Sequence, residues 1–335
     1  MTYRIAINGM GRIGRGVLRA FYESTDYPGL RIVAINDLAD TATLAHLIRY
    51  DSTHGRFLGE VKTGSGDNGM GGIGGIIEIA DDRIRVCNQA DPAALPWKDL
   101  EVDLVMECSG SFTDRLTAQR HLSAGAGKVL FSQPAEADVD TTVIYGINHR
   151  ALKPTDRIIS NASCTTNCII PVIECLDRAF GIENGVITTI HSAMNDQPVI
   201  DAYHHSDLRK TRSAMQSIIP VETEIAKGIG RVLPAMAGRF EAQAMRVPTV
   251  NVSAIDLAVL VRKDCSAEEV NRQIMAFSAS LLPNVLGYTD EPLASCDFNH
   301  DPRSAIVDLS FTRVSGTRLI KILAWFDNEW AYANR

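Results

Sequence analysis

The sequence predicts an α/β protein in two parts: a first half on a parallel sheet, and an α+β second half on a mixed or antiparallel sheet. Three observations predict it. The chain opens as strand, glycine turn, helix and strand, ending on an acid at Asp37. Apolar runs at 102–107 and 128–131 continue the strand pattern with crossover lengths between them. In the second half, strand patterns outnumber helical ones. At 335 residues the chain is long for a single core, which also argues for two domains.

Tyr3–Asn8 (YRIAIN) is a short apolar strand, followed at once by Gly9-Met10-Gly11-Arg12-Ile13-Gly14 and a helical stretch to about Tyr22. Arg31–Asn36 (RIVAIN) is the next strand. A lone G-x-G-x-x-G is weak evidence; between a strand and a helix, with an acid closing the next strand, it marks a Rossmann-type dinucleotide site. Gly9 permits the tight turn, Gly11 lets a pyrophosphate approach the backbone, and Gly14 allows close helix–strand packing. The helix N-terminus then faces the phosphates. A carboxylate at Asp37 accepts from ribose hydroxyls and repels a 2′-phosphate, so NAD is favoured over NADP. A turn or N-cap aspartate is the plainer alternative.

Tyr50–Phe57 reads as a loop leaving a helix. Gly64–Gly75 is glycine-rich without the GK[ST] ending of a phosphate loop, so it reads as a flexible hairpin tip or insertion. Val102–Glu107 and Lys128–Phe131 are buried parallel strands; Cys108-Ser109-Gly110 and Ser132-Gln133-Pro134 follow them. That is the edge where open α/β sheets hold ligands, which adds Ser132 to the cofactor set.

Ser160–Cys168 (SNASCTTNC) holds Cys164 between small and hydroxylated residues. Asn161 and Ser163 are N-cap types ahead of an apolar run, so Cys164 falls at or just before the first turn of a buried helix reaching about Phe180. The helix dipole there favours an anion, and the thiol is expected to ionise more readily than a free cysteine, which titrates at about 8.5. An arbitrary cysteine is more often a buried structural one. The strand Gly185–Ile190 places His191 at its end, where an imidazole can serve as general base or hold a thiolate; an interior histidine taken alone is more often structural. Ser192–Met215 is polar, with the cations Arg209, Lys210 and Arg212. It is either a solvated loop or, with Thr223 and Arg246 from later loops, an anion site. Val247–Val261 reads as one alternating strand, Ser266–Ser280 as an amphipathic helix, and Ser304–Asp308 and Leu319–Phe326 as late strands.

The net charge of −7 carries no dense basic block, so nucleic acid and anionic membranes are poor partners. Seven scattered cysteines suggest reduced thiols in the cytoplasm, and none has metal-site spacing. No apolar run approaches the roughly 20 residues of a spanning helix. Tyr3–Asn8 already reads as a strand, which leaves no room for a signal peptide.

INGMGRIGR, YDSTHGRF, SNASCTTNC, SIIP, RVPTVNVSAIDL and WFDNEWAYANR together resemble the glyceraldehyde-3-phosphate dehydrogenase family over essentially the whole chain. HSAMNDQPVIDAYH, TRSAMQSIIPVET and DFNHDPRSAIVD are similar to the branch that acts on erythrose 4-phosphate, whose product feeds pyridoxal phosphate synthesis. The resemblance implies an NAD-binding domain at 1–163, with 328–335 returning to it, and a catalytic domain at 164–327. It implies Cys164 as nucleophile and His191 as its base, with Ser163 and Thr165 bordering the reacting carbon. Arg12 and Ile13 would line the pyrophosphate, Asp37 the ribose, and Asn328 the nicotinamide carboxamide. Lys210 and Arg246 would be the cations for substrate phosphate, with Thr223 at a second anion site. The implied partners are a small phosphorylated aldehyde and three further copies of the chain, in a homotetramer where Ser192–Met215 reaches a neighbour.

Three departures from the family pattern bear on the last step: Thr223-Glu224 stands where Thr-Gly is usual, Met194 replaces a threonine, and Lys210 an arginine. Separately, Ala90 replaces an arginine near the adenine and removes one expected cofactor contact. The chain ends at Arg335, short of a C-terminal helix that the resemblance leads one to expect. A carboxylate at Glu224 beside the anion site opposes phosphate entry by about 1 kcal/mol. These changes favour a four-carbon aldehyde phosphate with hydrolytic release. The alternatives are the phosphorylating glyceraldehyde-3-phosphate enzyme and, in a different class, a catalytically silent NAD or redox sensor.

Overall fold

The computed structural model describes residues 2–24, 27–64, 74–204 and 207–335. They form two units: Met1–Val143 with Ala151–Ser163 and Asn334, and Ile144–Arg150 with Cys164–Ala333 and Arg335.

In the first unit the apolar strands Tyr3–Asn8 and Leu30–Asn36 are buried along most of their length, as strands covered on both faces must be. Nine strands form the sheet, in the order Thr141–Thr142, Ile158–Ser160, Lys128–Phe131, Leu104–Glu107, Tyr3–Asn8, Leu30–Asn36, Asp82–Cys87, Ile76–Ile79 and Val61–Gly64. The first seven run parallel and the last two add antiparallel. One face packs Ile7, Leu18, Ile35 and Leu44, the other Ala6, Ala34, Trp97 and Val105. Asp40 and Asp114 cap the helices Thr41–Arg49 and Arg115–Ser123 by accepting from Thr43 N and Thr117 N at 2.8 and 2.9 Å. Tyr3–Asn8 lies between Leu30–Asn36 and Leu104–Glu107, so the chain reverses its direction of sheet growth there, and the glycine turn leaves from that switch point. Most of the glycine-rich run, residues 65–73, lies outside the described residues; its flanks Val61–Gly64 and Ile76–Ile79 pair antiparallel.

The second unit is a mixed sheet in the order Ile219–Val221, Phe240–Val247, Ile182–Ser192, Ser253–Val261, Leu319–Phe326, Ala305–Asp308 and Leu286–Thr289, with Arg313–Ser315 paired to Leu319–Phe326. Ile182–Ser192 runs parallel to Phe240–Val247 and antiparallel to Ser253–Val261. Ile187, Ile255, Leu257, Val259, Ile320 and Ile322 are buried, while Val186 faces out. The helix Cys164–Phe180 is buried over most of its surface, and Ala267–Ser280 is capped by Ser266, whose hydroxyl accepts from Glu269 N at 3.2 Å. Among the described residues, no helix is long and apolar enough to cross a membrane.

Two expectations need correction. Val247–Val261 is not one strand: Phe240–Val247 ends, and Ser253 begins a new one. Pro248 has no N–H for the ladder, and Val252 takes φ +64°, a left-handed conformation that breaks an extended chain. Residues 328–333 and 144–150 belong to the second unit, not the first. Asp327 explains the former: its buried carboxylate accepts from Glu329 N, Trp330 N, His300 N and Asn251 Nδ2 at 2.7–2.9 Å. Trp330, Ala331 and Tyr332 are buried behind it.

Candidate active site

In the first unit the site is made of main chain. Gly9 sits at φ +92°, and a Cβ there would meet Ser109 Cα at 2.5 Å, so only glycine fits the turn. A Cβ on Gly14 would lie 2.0 Å from Gly9 O and 3.3 Å from Ile7 Cγ2. Gly11 has open space around it and no side chain caps the helix Arg12–Glu23. A helix start without a side-chain cap and an open glycine are what a pyrophosphate needs. Asp37 crosses back to the turn: its carboxylate accepts from Met10 N at 2.7 Å and Ala39 N at 3.0 Å. These residues fit NAD. The Arg12 guanidinium is committed elsewhere, in a bidentate pair with Asp51 at 2.5 and 3.1 Å. Although burial opposes its charge, that pair, with N–H donation from His54 and Thr53, holds the Asp51 carboxyl well below the usual range. Ile13 packs its side chain against the core. The side chains of Arg12 and Ile13 are thus both engaged within the fold. Ser132 is half-buried and its N–H donates to Glu107 O at 3.0 Å, at the same sheet edge.

In the second unit the site is made of side chains from distant segments. Cys164 is the first residue of its helix. Ala162 ahead of it takes φ +54°, a costly conformation for a residue with a Cβ. Cys164 Sγ lies 3.7 Å from His191 Nε2 and 3.9 Å from Thr165 Oγ1. Sequence spacing could not reveal the first of these contacts. The ionisation expected of Cys164 is corrected: burial pushes the thiol above its ordinary value, against Thr165, the Arg246 charge and the amides of Thr165 and Cys164 itself. His191 is buried and its pKa is lowered to about 3, by burial first and Arg246 second. Burial thus pushes both groups toward their uncharged forms. The Phe326 ring stands edge-on to His191 with centroids 6.1 Å apart.

Arg246 reaches His191 because the strands Ile182–Ser192 and Phe240–Val247 pair them in register. Arg246 Nη1 lies 2.5 Å from His191 Nδ1. Lys210 Nζ donates to Asp196 Oδ2 at 2.8 Å. Asp196 went unnoticed in the sequence; the acidic residue in the polar loop was its only signal. Lys210 and Arg246 both hold the Asp196 carboxyl low against its burial. Thr223 is half-buried and accepts from Ile225 N at 3.4 Å. Glu224 is exposed and bonds Lys227 Nζ at 2.6 Å, which takes its charge up at the surface. Ser163 is half-buried and immediately precedes the nucleophile.

Asn328 Oδ1 accepts from Ser192 Oγ at 3.0 Å and Ser253 Oγ at 2.8 Å. Ser253 Oγ in turn accepts from Ser192 N at 3.1 Å. In this orientation the NH₂ end of Asn328 is turned away from both hydroxyls. Neither serine stood out in the sequence.

The description "Glyceraldehyde 3-phosphate dehydrogenase, NAD binding domain" matches residues 3–115. "Glyceraldehyde 3-phosphate dehydrogenase, C-terminal domain" matches residues 163–328. The two follow one another along most of the chain, and the second spans both Cys164 and His191. The chain belongs to the glyceraldehyde 3-phosphate dehydrogenase family and is an NAD-dependent aldehyde dehydrogenase.

Proposed function

We propose that this enzyme oxidises D-erythrose 4-phosphate to 4-phosphoerythronate, with Cys164 as nucleophile and water as the final acceptor. The observation that carries the nucleophile is the 3.7 Å approach of Cys164 Sγ to His191 Nε2. Cys164 adds to the aldehyde carbon and forms a hemithioacetal, and His191 accepts the hydroxyl proton as that carbon is oxidised. NAD, when bound, supplies the hydride acceptor. The amides of the Gly9–Gly14 turn, with Asp37 and Ser132, hold the dinucleotide, and Asn328 donates its NH₂ to the carboxamide. The thioester left on Cys164 is attacked by water, which restores the thiol and releases the carboxylate.

Release by water is supported by the phosphate-binding side chains. Lys210 is engaged by Asp196, and Met194 offers no donor for a phosphate oxygen. Arg246 remains for the substrate phosphate, with Thr223 and Glu224 at the edge of the anion site and Ser163 and Thr165 bordering the carbon. The phosphorylating glyceraldehyde-3-phosphate enzyme is the second reading, favoured by the half-buried Thr223 at the start of the helix Ile225–Val232.

NADH formation with erythrose 4-phosphate and with glyceraldehyde 3-phosphate, each with and without inorganic phosphate, separates them. Faster turnover of the four-carbon sugar, indifferent to phosphate, is expected. Strict phosphate dependence with the three-carbon sugar would replace this reading by the second. Val199, Tyr203 and Leu208 are 73, 89 and 84 % exposed in the long loop. An apolar surface of that kind suits burial against another copy and supports a homotetramer; a monomer mass by light scattering would remove that part.

A further inference from the structure

The first unit buries a carboxyl group beneath the edge that holds its cofactor. Glu107 closes the strand Leu104–Glu107 and is fully buried, as are His121 and Trp97. The hydrogen bonds around it run in one direction. On one side the main chain of Gln89 sets that direction: its N–H donates to Asn36 Oδ1 at 3.0 Å, and its carbonyl accepts from Asn36 Nδ2 at 2.9 Å. Asn36 Nδ2 also donates to Asn8 Oδ1 at 2.6 Å, which leaves Asn8 Nδ2 to donate to Glu107 Oε2 at 2.6 Å. On the other side the Trp97 indole N–H, which can only donate, meets His121 Nδ1 at 3.0 Å. Nδ1 is therefore a lone pair, and the ring proton on Nε2 donates to Glu107 Oε2 at 3.0 Å. Ser109 N–H donates to Oε1 at 2.8 Å. Three donors converge on Glu107 and none of these partners can accept a carboxyl proton, so the group is a carboxylate. Among the described residues no lysine or arginine pairs with it.

The place of this charge on the sheet gives it a use. Leu30–Asn36, Tyr3–Asn8 and Leu104–Glu107 are successive neighbours, and Asn36, Asn8 and Glu107 are in register at their ends. Asp37 follows the first strand and the glycine turn follows the second. A dinucleotide with its adenosine ribose at Asp37 and its pyrophosphate at the turn directs its nicotinamide half to the side of Glu107 and Ser132. The nicotinamide ring is the part of the cofactor whose charge changes, positive when oxidised and neutral when reduced. A fixed negative charge in a protein interior acts on that difference far more strongly than the same charge in water. We propose that Glu107 is a specificity-determining residue that makes the enzyme favour the oxidised cofactor over the reduced one, which rests on the reading of Asp37 as the ribose ligand. Glu107 is sheathed by protein donors and acts through its field. Its charge favours loading of NAD and release of NADH.

The test is calorimetric binding of NAD and of NADH, in separate titrations without aldehyde. Glu107→Gln is expected to weaken NAD relative to NADH by about two- to tenfold. Glu107→Asp keeps the charge and is expected to leave that ratio within about twofold of the wild type. Damage to packing alone would weaken both forms by one factor, so an unchanged ratio in folded Glu107→Gln would overturn the proposal. Asp37→Ala is expected to weaken both forms alike; a ratio that shifts there and not in Glu107→Gln would reverse the cofactor's direction and overturn it as well. Should Glu107→Gln not fold, the charge is read by infrared difference spectroscopy of the wild type against Glu107→Asp at neutral pH. Absence of a protonated-carboxyl stretch supports the buried carboxylate, and its presence overturns the proposal. No aldehyde or phosphate is present, so the outcome is independent of the substrate assay.

Discussion

The two units solve different problems with different materials. In the first, the groups we propose for binding are main-chain amides and a single carboxylate, gathered within the short stretch from Gly9 to Asp37. In the second, Cys164, His191, Arg246 and Asn328 come from segments far apart in sequence: strand register pairs His191 with Arg246, while Cys164 reaches His191, and Asn328 reaches Ser192, by side-chain contacts. A main-chain site is specified by where side chains are absent. A side-chain site is specified by which strands are neighbours. Substitutions should therefore fail in different ways in the two units.

The largest separation is expected from Cys164→Ala. Aldehyde oxidation should fall by about 10⁴-fold or more, because no other group near His191 can form the covalent intermediate. Binding of NAD, followed by quenching of protein fluorescence, should change by less than about twofold. A comparable loss of NAD affinity would show that the two sites are not separable.

His191→Asn comes next, with an expected loss of roughly 10²–10⁴-fold in kcat/KM, the usual contribution of a general base. It should also alter the acid limb of stability. An ordinary imidazole gains its proton near 6.5, whereas His191 stays neutral down to about 3. Between those values the unfolded chain binds the extra proton, so stability falls as pH falls through that window, by at most about 1.4 kcal/mol per unit. Denaturant melts from pH 7 to pH 4 should show a shallower slope in His191→Asn than in the wild type. Equal slopes would mean that His191 is protonated in the folded protein.

Gly11→Ala and Gly14→Ala test the first unit against each other. Gly14→Ala forces a methyl toward Gly9 O and should cost about 1–3 kcal/mol of stability together with NAD affinity. Gly11→Ala meets no atom, so it should leave the melting temperature alone and weaken NAD binding only. An equal loss of stability in both variants would show that Gly11 serves the fold and not the cofactor.

This contrast also explains what could be read in advance. The glycine turn, Asp37 and the helix Cys164–Phe180 were legible because each is a local pattern: spacing, an N-terminal signal, an apolar run. Phe240–Val247 was missed because its alternation with Glu241 and Gln243 rests on Phe240 and two small alanines and stops at Met245-Arg246, and Ile225–Val232 because two glycines interrupt its helical signal. The partners Asp196, Ser192 and Ser253 were hidden for a different reason. Asp196 meets Lys210 through a contact within the loop, and the roles of Ser192 and Ser253 arise from strands far apart in sequence, as when Ser253 and Phe326 pair beside Asn328. The direction of the Cys164 shift was misjudged because a helix terminus is visible in sequence and burial of the thiol is not.

The smallest effect is expected at Glu224, and it sharpens the comparison most finely. The sequence places a carboxylate beside the anion site; the structure ties that carboxylate to Lys227 on an exposed surface. Exposed, paired charges are screened and contribute little, about 1 kcal/mol or less. Glu224→Gly should therefore raise phosphate-dependent turnover by no more than a few-fold. Met194→Thr restores a hydroxyl donor in the loop beside Asp196 and should raise it more. If Glu224→Gly alone brought phosphate dependence to the level of the double variant, the ion pair with Lys227 would not persist in solution, and charge at that position, not the missing donor at Met194, would set the choice between water and phosphate.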